Sequence, residues 1–264
     1  MTTLLERLRA GQPPPFPVTD LHGHLGRYAF PIPDLTTAGL LGVMDRTGVQ
    51  RLVCSHMQCM SSDSAWGNEA VLEHLRQAPG RILGYVSVFP SDQARVRAAV
   101  THWLGAGFSG LKMHDSNGFR YDDPAYEPAY ELANERALPV LLHTWGGPVQ
   151  FEAAIAIARR FPDLTVILAH GGSANPDAYI RAVLAAPNLV MDTCFSRCPL
   201  GLLEHLVAGV GAERVVFGSD CCFYSLTQQL GKVMAADLDE AAKRLILCDN
   251  AARILGAIRP ANRG

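Results

Sequence analysis

The sequence predicts a (β/α)8 barrel of the TIM type, on two patterns and one absence. Eight apolar, strand-like runs recur along the chain, at 16–22, 51–57, 81–88, 108–114, 138–144, 164–170, 188–194 and 213–219. Amphipathic stretches lie between them, giving units of about 30 residues, the size of one strand–helix unit in such a barrel. No G-x-G-x-x-G follows the first run, as a doubly wound dinucleotide-binding sheet would require.

Taken in order, residues 1–15 end in Pro13-Pro14-Pro15 and read as a lead-in arm to one domain spanning 1–264. The first strand enters through Phe16-Pro17-Val18 and ends in Asp20-Leu21-His22-Gly23-His24. Residues 57–65 form the clearest long loop after a strand. Ala94–Ala106 carries Val96, Ala99, Val100, Trp103 and Leu104 on one helical stripe, and Tyr126–Arg136, Phe151–Arg160 and Ala178–Ala185 read likewise. Pro79, Pro139, Pro162 and Pro187 mark helix ends before the next strand. The fourth run, Phe108–His114, is more polar than the rest, and the closing stretch from Asp239 to Leu255 is helical behind an acidic N-cap.

The bulk numbers narrow the function. An apolar content of 48% in 264 residues supports a sizeable core. A net charge of −2 with no basic block gives nucleic-acid binding no electrostatic support. No apolar run approaches the roughly 18 residues of a membrane span. Glu6 and Arg7 fall where a signal peptide would have its apolar core. Seven cysteines without framework spacing fit free thiols in a reducing cytoplasm. Neither Cys194 with Cys198 nor Cys221-Cys222 has the C-x-x-C form of a structural zinc site. The expected partner is a small-molecule substrate, with no nucleic acid and no membrane; a homo-oligomer stays open.

The nine histidines sort themselves. His74, His102 and His205 fall inside helices, whereas His22, His24, His56, His114, His143 and His170 stand at strand ends. Residues i and i+2 of a strand point the same way, so His22 and His24 can present two imidazoles side by side. Asp220 closes the apolar run Val215–Ser219, and a carboxylate there needs a partner because an unpaired buried charge is costly. Lys112 shares a strand face with His114. Barrel strand ends meet at one mouth, so His22, His24, His143 and Asp220 supply three nitrogens and one oxygen, a set suited to Zn2+ with an open position for water. A hydrogen-bonded polar plug in the barrel is the competing explanation.

These residues resemble the amidohydrolase superfamily, and within it the amidohydrolase-related branch that includes aminocarboxymuconate semialdehyde decarboxylase. The matching pieces are D-L-H-G-H at 20–24, G-F-S-G-L-K-M-H at 107–114, L-P-V-L-L-H-T-W at 138–145, L-A-H-G-G at 168–172, F-G-S-D at 217–220 and D-N-A-A-R-I-L-G at 249–256. The resemblance implies His22, His24, His143 and Asp220 as metal ligands, with Asp220 also carrying a proton. It implies His170 as general base or electrostatic partner with one metal, or as a ligand to a second. Lys112 is then either a CO2-carboxylated bridge between two metals or an unmodified contact to substrate; one Zn2+ is the expectation. Asn250 reads as a helix cap and a support for the eighth strand.

The expected reaction is attack of a zinc-bound hydroxide on a small amide, ester or lactone. The alternative is non-oxidative decarboxylation, or hydration, of an unsaturated or aromatic acid on the same site. A silent binding protein would be expected to lose ligands, and none is missing. Arg27, His56, His114, Trp145 and Arg197 are the candidate substrate contacts. The arginines point to an anionic substrate if they reach the mouth, and to ordinary surface loops if they do not. Trp145 reads equally as a stacking wall or as rim packing.

Overall fold

The computed structural model describes residues 2–28, 32, 36–57, 64–195 and 197–260. Most of the long loop expected at 57–65 lies outside the described residues. Eight strands run parallel in chain order: β1 (Val18–Leu25), β2 (Val49–His56), β3 (Ile82–Val86), β4 (Gly110–Met113), β5 (Pro139–Leu142), β6 (Thr165–Leu168), β7 (Leu189–Asp192) and β8 (Val215–Val216). The helices are α1 (Leu4–Arg9), α2 (Thr37–Thr47), α3 (Ser64–Gln77), α4 (Gln93–Gly105), α5 (Glu127–Glu135), α6 (Pro148–Arg160), α7 (Pro176–Leu184), α8 (Leu202–Val210), α9 (Leu226–Ala235), α10 (Glu240–Arg244) and α11 (Asn250–Gly256). The alternation makes a nearly closed (β/α)8 barrel, as the repeated apolar runs predict.

Two local outcomes differ from the sequence reading, and one expected helix contains an irregular turn. The arm before β1 contains α1, whose Thr3 caps the Glu6 N–H and whose Leu4 is buried in the core. The stretch 239–255 is helical as expected behind Asp239, which accepts from the Ala242 N–H, with a π-helical turn at Leu245–Asp249 in its course. Asn250 is therefore inside a helical run and caps nothing. Its Nδ2 instead donates to the carbonyls of Ala212 and Val215, each at 2.8 Å, which fixes the entry of β8.

Period-two alternation builds the interior. Leu21, Val53, Tyr85, Leu141, Ile167, Val190 and Val216 pack as an apolar layer within the barrel, with Ala251 and Ile254 of α11 against it. Two residues further along β2, β5 and β7, the same inward face carries Ser55, His143 and Asp192. The polar layer thus follows directly from the apolar one. In β1 the pairing with β2 shifts register between Asp20 and Gly23, so His22 turns inward immediately after Leu21.

β8 pairs with β7 over only two positions. The gap towards β1 is closed by single backbone bonds: Leu21 N–H to Phe217 O at 3.0 Å and Asp220 N–H to His22 O at 2.7 Å. Because Asn250 anchors the start of this short strand, Asn250→Ala is expected to strip a donor from two buried carbonyls and cost about 1–3 kcal/mol. Urea unfolding of wild type and variant measures it; an unchanged midpoint would remove Asn250 from the support of β8.

Candidate metal centre

The seam between β1 and β8 brings His22, His24 and Asp220 together. The two Nε2 atoms lie 3.2 Å apart, and Asp220 Oδ1 is 3.6 Å from that of His22 and 3.1 Å from that of His24. All three side chains are buried, and their ligand atoms lie within 4.8 Å of one another. Lys112 Nζ, rising from β4, stands 3.2 Å from His22 Nε2. His170 and Asp220 both sit at positive φ, 57° each, a conformation that residues with a Cβ rarely adopt and that aims both side chains from tight turns after their strands.

Hydrogen bonds assign the ring nitrogens. His22 Nδ1 meets Asp192 Oδ2 at 2.7 Å, and His24 Nδ1 meets Ser55 Oγ at 3.1 Å. With those nitrogens carrying the protons, both Nε2 lone pairs face Asp220. His170 Nδ1 donates to Cys194 O at 3.1 Å, leaving its Nε2 to accept from His143 Nδ1 at 3.2 Å. His143 Nε2 then keeps a lone pair as well. His143 nevertheless stands beside the trio rather than in it, with its ring stacked on His114 at a centroid distance of 3.9 Å.

Burial holds these imidazoles neutral. It pushes His22 well below its ordinary pKa, helped by Lys112, and lowers His24 against the opposing pull of Asp220. His170 falls to about 4 and His114 to about 3, both chiefly by burial. Burial, His114 and Lys112 push His143 far down. Neutral imidazoles are the form that binds metal. Lone pairs and a carboxylate gathered in one dry place call for a cation, and the Lys112 ammonium supplies one here, as a stand-in for an ion. This donor set fits a divalent metal that accepts nitrogen and oxygen ligands.

A pocket of about 320 Å³ opens above, lined by His24, Tyr28, His114, His143, Trp145, His170, Asp220, Phe223 and Tyr224. The Trp145 ring lies parallel over His170 at 4.5 Å, so it is a wall of the site and not only rim packing. Of the five candidate substrate contacts, His114 and Trp145 line this pocket. Arg27 and Arg197 are exposed and do not. His56 is buried edge-on against Trp66 and fills the space where a Cβ on Gly26 would stand. Neither arginine adds charge to this pocket, and among the described residues Lys112 is the cation at its base.

Sequence reasoning missed Asp192, Asp20, Ser55 and Cys194. Asp192 closes the apolar run Leu189–Met191 as Asp220 closes its own, so the same criterion finds it. Burial raises Asp192 to about 7, against the backbone N–H of Cys194 and the charge of Lys112. His22, His170 and Cys194 also cluster, but through Nδ1 atoms already bound to Asp192 and to Cys194 O. Burial pushes the Cys194 thiol well above its ordinary pKa, and in the metal-free protein this second cluster braces the first through those bonds.

Stability of the metal-free protein should depend on pH accordingly. Above about 6.5 the six strand-end histidines are neutral whether folded or not. Below it the unfolded chain takes up protons that the folded one refuses until about 4, the value for His170 and for His56. Asp20 and Asp192, both raised to about 7 by burial, act in the opposite sense, but they are two against six. The melting temperature is expected to fall between pH 6.5 and 4; a flat or rising profile would mean that the histidines are not held neutral.

Solved structures similar to this chain share its fold. An uncharacterised TIM-barrel protein from Bordetella bronchiseptica matches with a TM-score of 0.76 at 18% identity, over 92% of this chain and 99% of that one. A dihydroxybenzoic acid decarboxylase from a Polaromonas species, with bound manganese and an inhibitor, matches with a TM-score of 0.72 at 17% identity, over 93% and 98%. A candidate 2-pyrone-4,6-dicarboxylic acid hydrolase from Pseudomonas putida matches with a TM-score of 0.70 at 18% identity, over 92% and 98%. The family model described as Amidohydrolase matches residues 12–257, nearly the whole chain, and the chain belongs to the amidohydrolase family.

Proposed function

We propose that this chain is a divalent-metal enzyme that hydrolyses a small, flat ester, lactone or amide. The observation that carries the reading is the placement of Asp220, whose carboxylate lies beside His22 and His24 and also borders the pocket. One group can thus complete a ligand set and reach a reacting water. His22, His24, Asp220 and the adjacent His143 would hold one ion; the imidazole-rich set favours zinc, and manganese in a similar fold makes it the second choice. When bound, such an ion polarises a substrate carbonyl and lowers the pKa of water.

The residues of the chain supply the rest. Asp220 takes the proton from the attacking water and returns it to the leaving oxygen or nitrogen. His170, neutral because its pKa is about 4, borders the pocket beside Asp220, and turning its Nε2 from His143 to the water would let it orient the attack. Lys112, buried beneath the pocket, balances negative charge developing on the carbonyl oxygen. Trp145 on one side, and Tyr28 with Phe223 at a ring distance of 5.1 Å, favour a planar substrate. That same aromatic lining favours a second reading, decarboxylation of an aromatic acid, in which Asp220 would protonate the ring carbon.

A screen of lactones, amides and carboxylated aromatics in solvent enriched in heavy oxygen separates the two. Hydrolysis is expected to place solvent oxygen in a new carboxylate. Release of carbon dioxide without that label would move the assignment to decarboxylation. Asp220→Asn is expected to lower kcat by roughly three powers of ten while retaining metal, and full activity in that variant would reject both readings.

Lys112 is read as unmodified. Lys112→Ala is then expected to impair turnover or substrate affinity and leave the metal content at about one per chain. A wild-type content near two that drops in the variant would instead identify a carboxylated, bridging lysine.

A further inference from the structure

We propose that Asp192 is the positioning residue of this site, fixing through one carboxylate both the ligand nitrogen of His22 and the turn that presents His170. The proposal deepens the metal-enzyme reading above and rests on it. Asp192 is fully buried at the end of β7, which pairs on one side with β6, the strand leading to His170, and on the other with β8, beyond which stands His22 of β1. Its Oδ1 accepts the backbone N–H groups of His170 at 2.9 Å and Cys194 at 3.0 Å. Its Oδ2 lies 2.7 Å from His22 Nδ1. The Cys194 thiol, 3.2 Å from the same nitrogen, is a weak acceptor and does not compete. The proton of His22 therefore sits on Nδ1, and Nε2 keeps its lone pair for the metal side.

The same carboxylate holds a strained turn. His170 occupies the left-handed region at φ 57°, and its N–H is locked on Asp192 Oδ1. The next N–H, of Gly171, is taken by the backbone carbonyl of Asp192 at 3.2 Å. Two motif glycines make room for this arrangement. A Cβ on Gly218 would stand 3.0 Å from Asp192 Cβ and Cγ and 2.9 Å from His22 Cβ, and a Cβ on Gly171 would run into the Asp192 carbonyl oxygen. Gly171 of A-H-G-G and Gly218 of F-G-S-D are thus accounted for by one residue that neither motif contains.

Asp192→Asn tests this, because it keeps the shape and changes one donor. Its oxygen is expected to stay on the two backbone N–H groups, so its Nδ2 would face His22 Nδ1. The His22 proton should then move to Nε2, into the ligand position. Two measurements read this: the imidazole nitrogen resonances of metal-free protein, and zinc affinity by chelator competition. The expected results are His22 protonated on Nδ1 in wild type and on Nε2 in the variant, with zinc affinity lowered roughly 10- to 100-fold. His22 protonated on Nε2 in wild type, or zinc affinity unchanged in the variant, overturns the proposal. If the variant does not fold, the wild-type resonances decide alone. Wild-type protein that binds neither zinc nor manganese overturns the metal reading itself. That result differs from failure of the Asp192 role, which leaves wild-type binding intact.

Discussion

The site depends on how the barrel closes. β8 is too short to zip against β1, so the last gap is bridged by polar groups at the depth where the ligands stand. Asp20 spans it, with Oδ1 accepting the N–H groups of His22 and Ser219, each at 3.0 Å, and Oδ2 taking the Ser219 hydroxyl. The Asp220 N–H to His22 carbonyl bond lies beside it. These contacts set the distance between the strand carrying two imidazoles and the turn carrying the carboxylate. A continuous ladder would have kept Asp220 in extended backbone; its positive φ shows that the chain leaves the sheet there.

Burying this many ionisable groups is tolerable because they neutralise or pair. The imidazoles stay uncharged, and the buried carboxylates Asp20 and Asp192 each accept several hydrogen bonds. Lys112 carries the compensating positive charge. Burial lowers the Lys112 pKa, and the carboxylates of Asp220 and Asp192 oppose that fall. Structure and chemistry use the same charges: the carboxylates that make the lysine affordable also orient the histidines.

Much of this was legible because barrel chemistry gathers at strand ends. The periodic apolar runs placed the strands, and six histidines and one aspartate falling at their ends placed the mouth. His22 and His24 could be paired from their spacing alone. What was not legible depends on contacts between distant strands. The register shift in β1 that turns His22 inward after Leu21 has no sequence signature. Asp192 ends an apolar run just as Asp220 does, yet only the fold shows it against His22 Nδ1. Arg27 and Arg197 looked like substrate contacts because loop position says nothing about which way a long side chain extends. Asn250 resembled a helix cap, yet a π-helical turn carries the helical path past it and leaves its amide to hold two carbonyls at the entry of β8.

The position of Lys112 links the charge of the substrate to the state of the site. Its amine stands 3.2 Å from His22 Nε2, the atom expected to bind metal. A divalent cation bound there would add repulsion to the burial that already disfavours the ammonium. The lysine then stays protonated only if negative charge arrives from elsewhere, and the described pocket walls contain no guanidinium that would compete for it. A carboxylate on the substrate, or an oxyanion forming from it, is the natural source. Lys112 is therefore best matched to a reaction in which negative charge enters or develops over the ion. Both ester hydrolysis and decarboxylation meet that condition, which is why one set of strand ends can serve either chemistry.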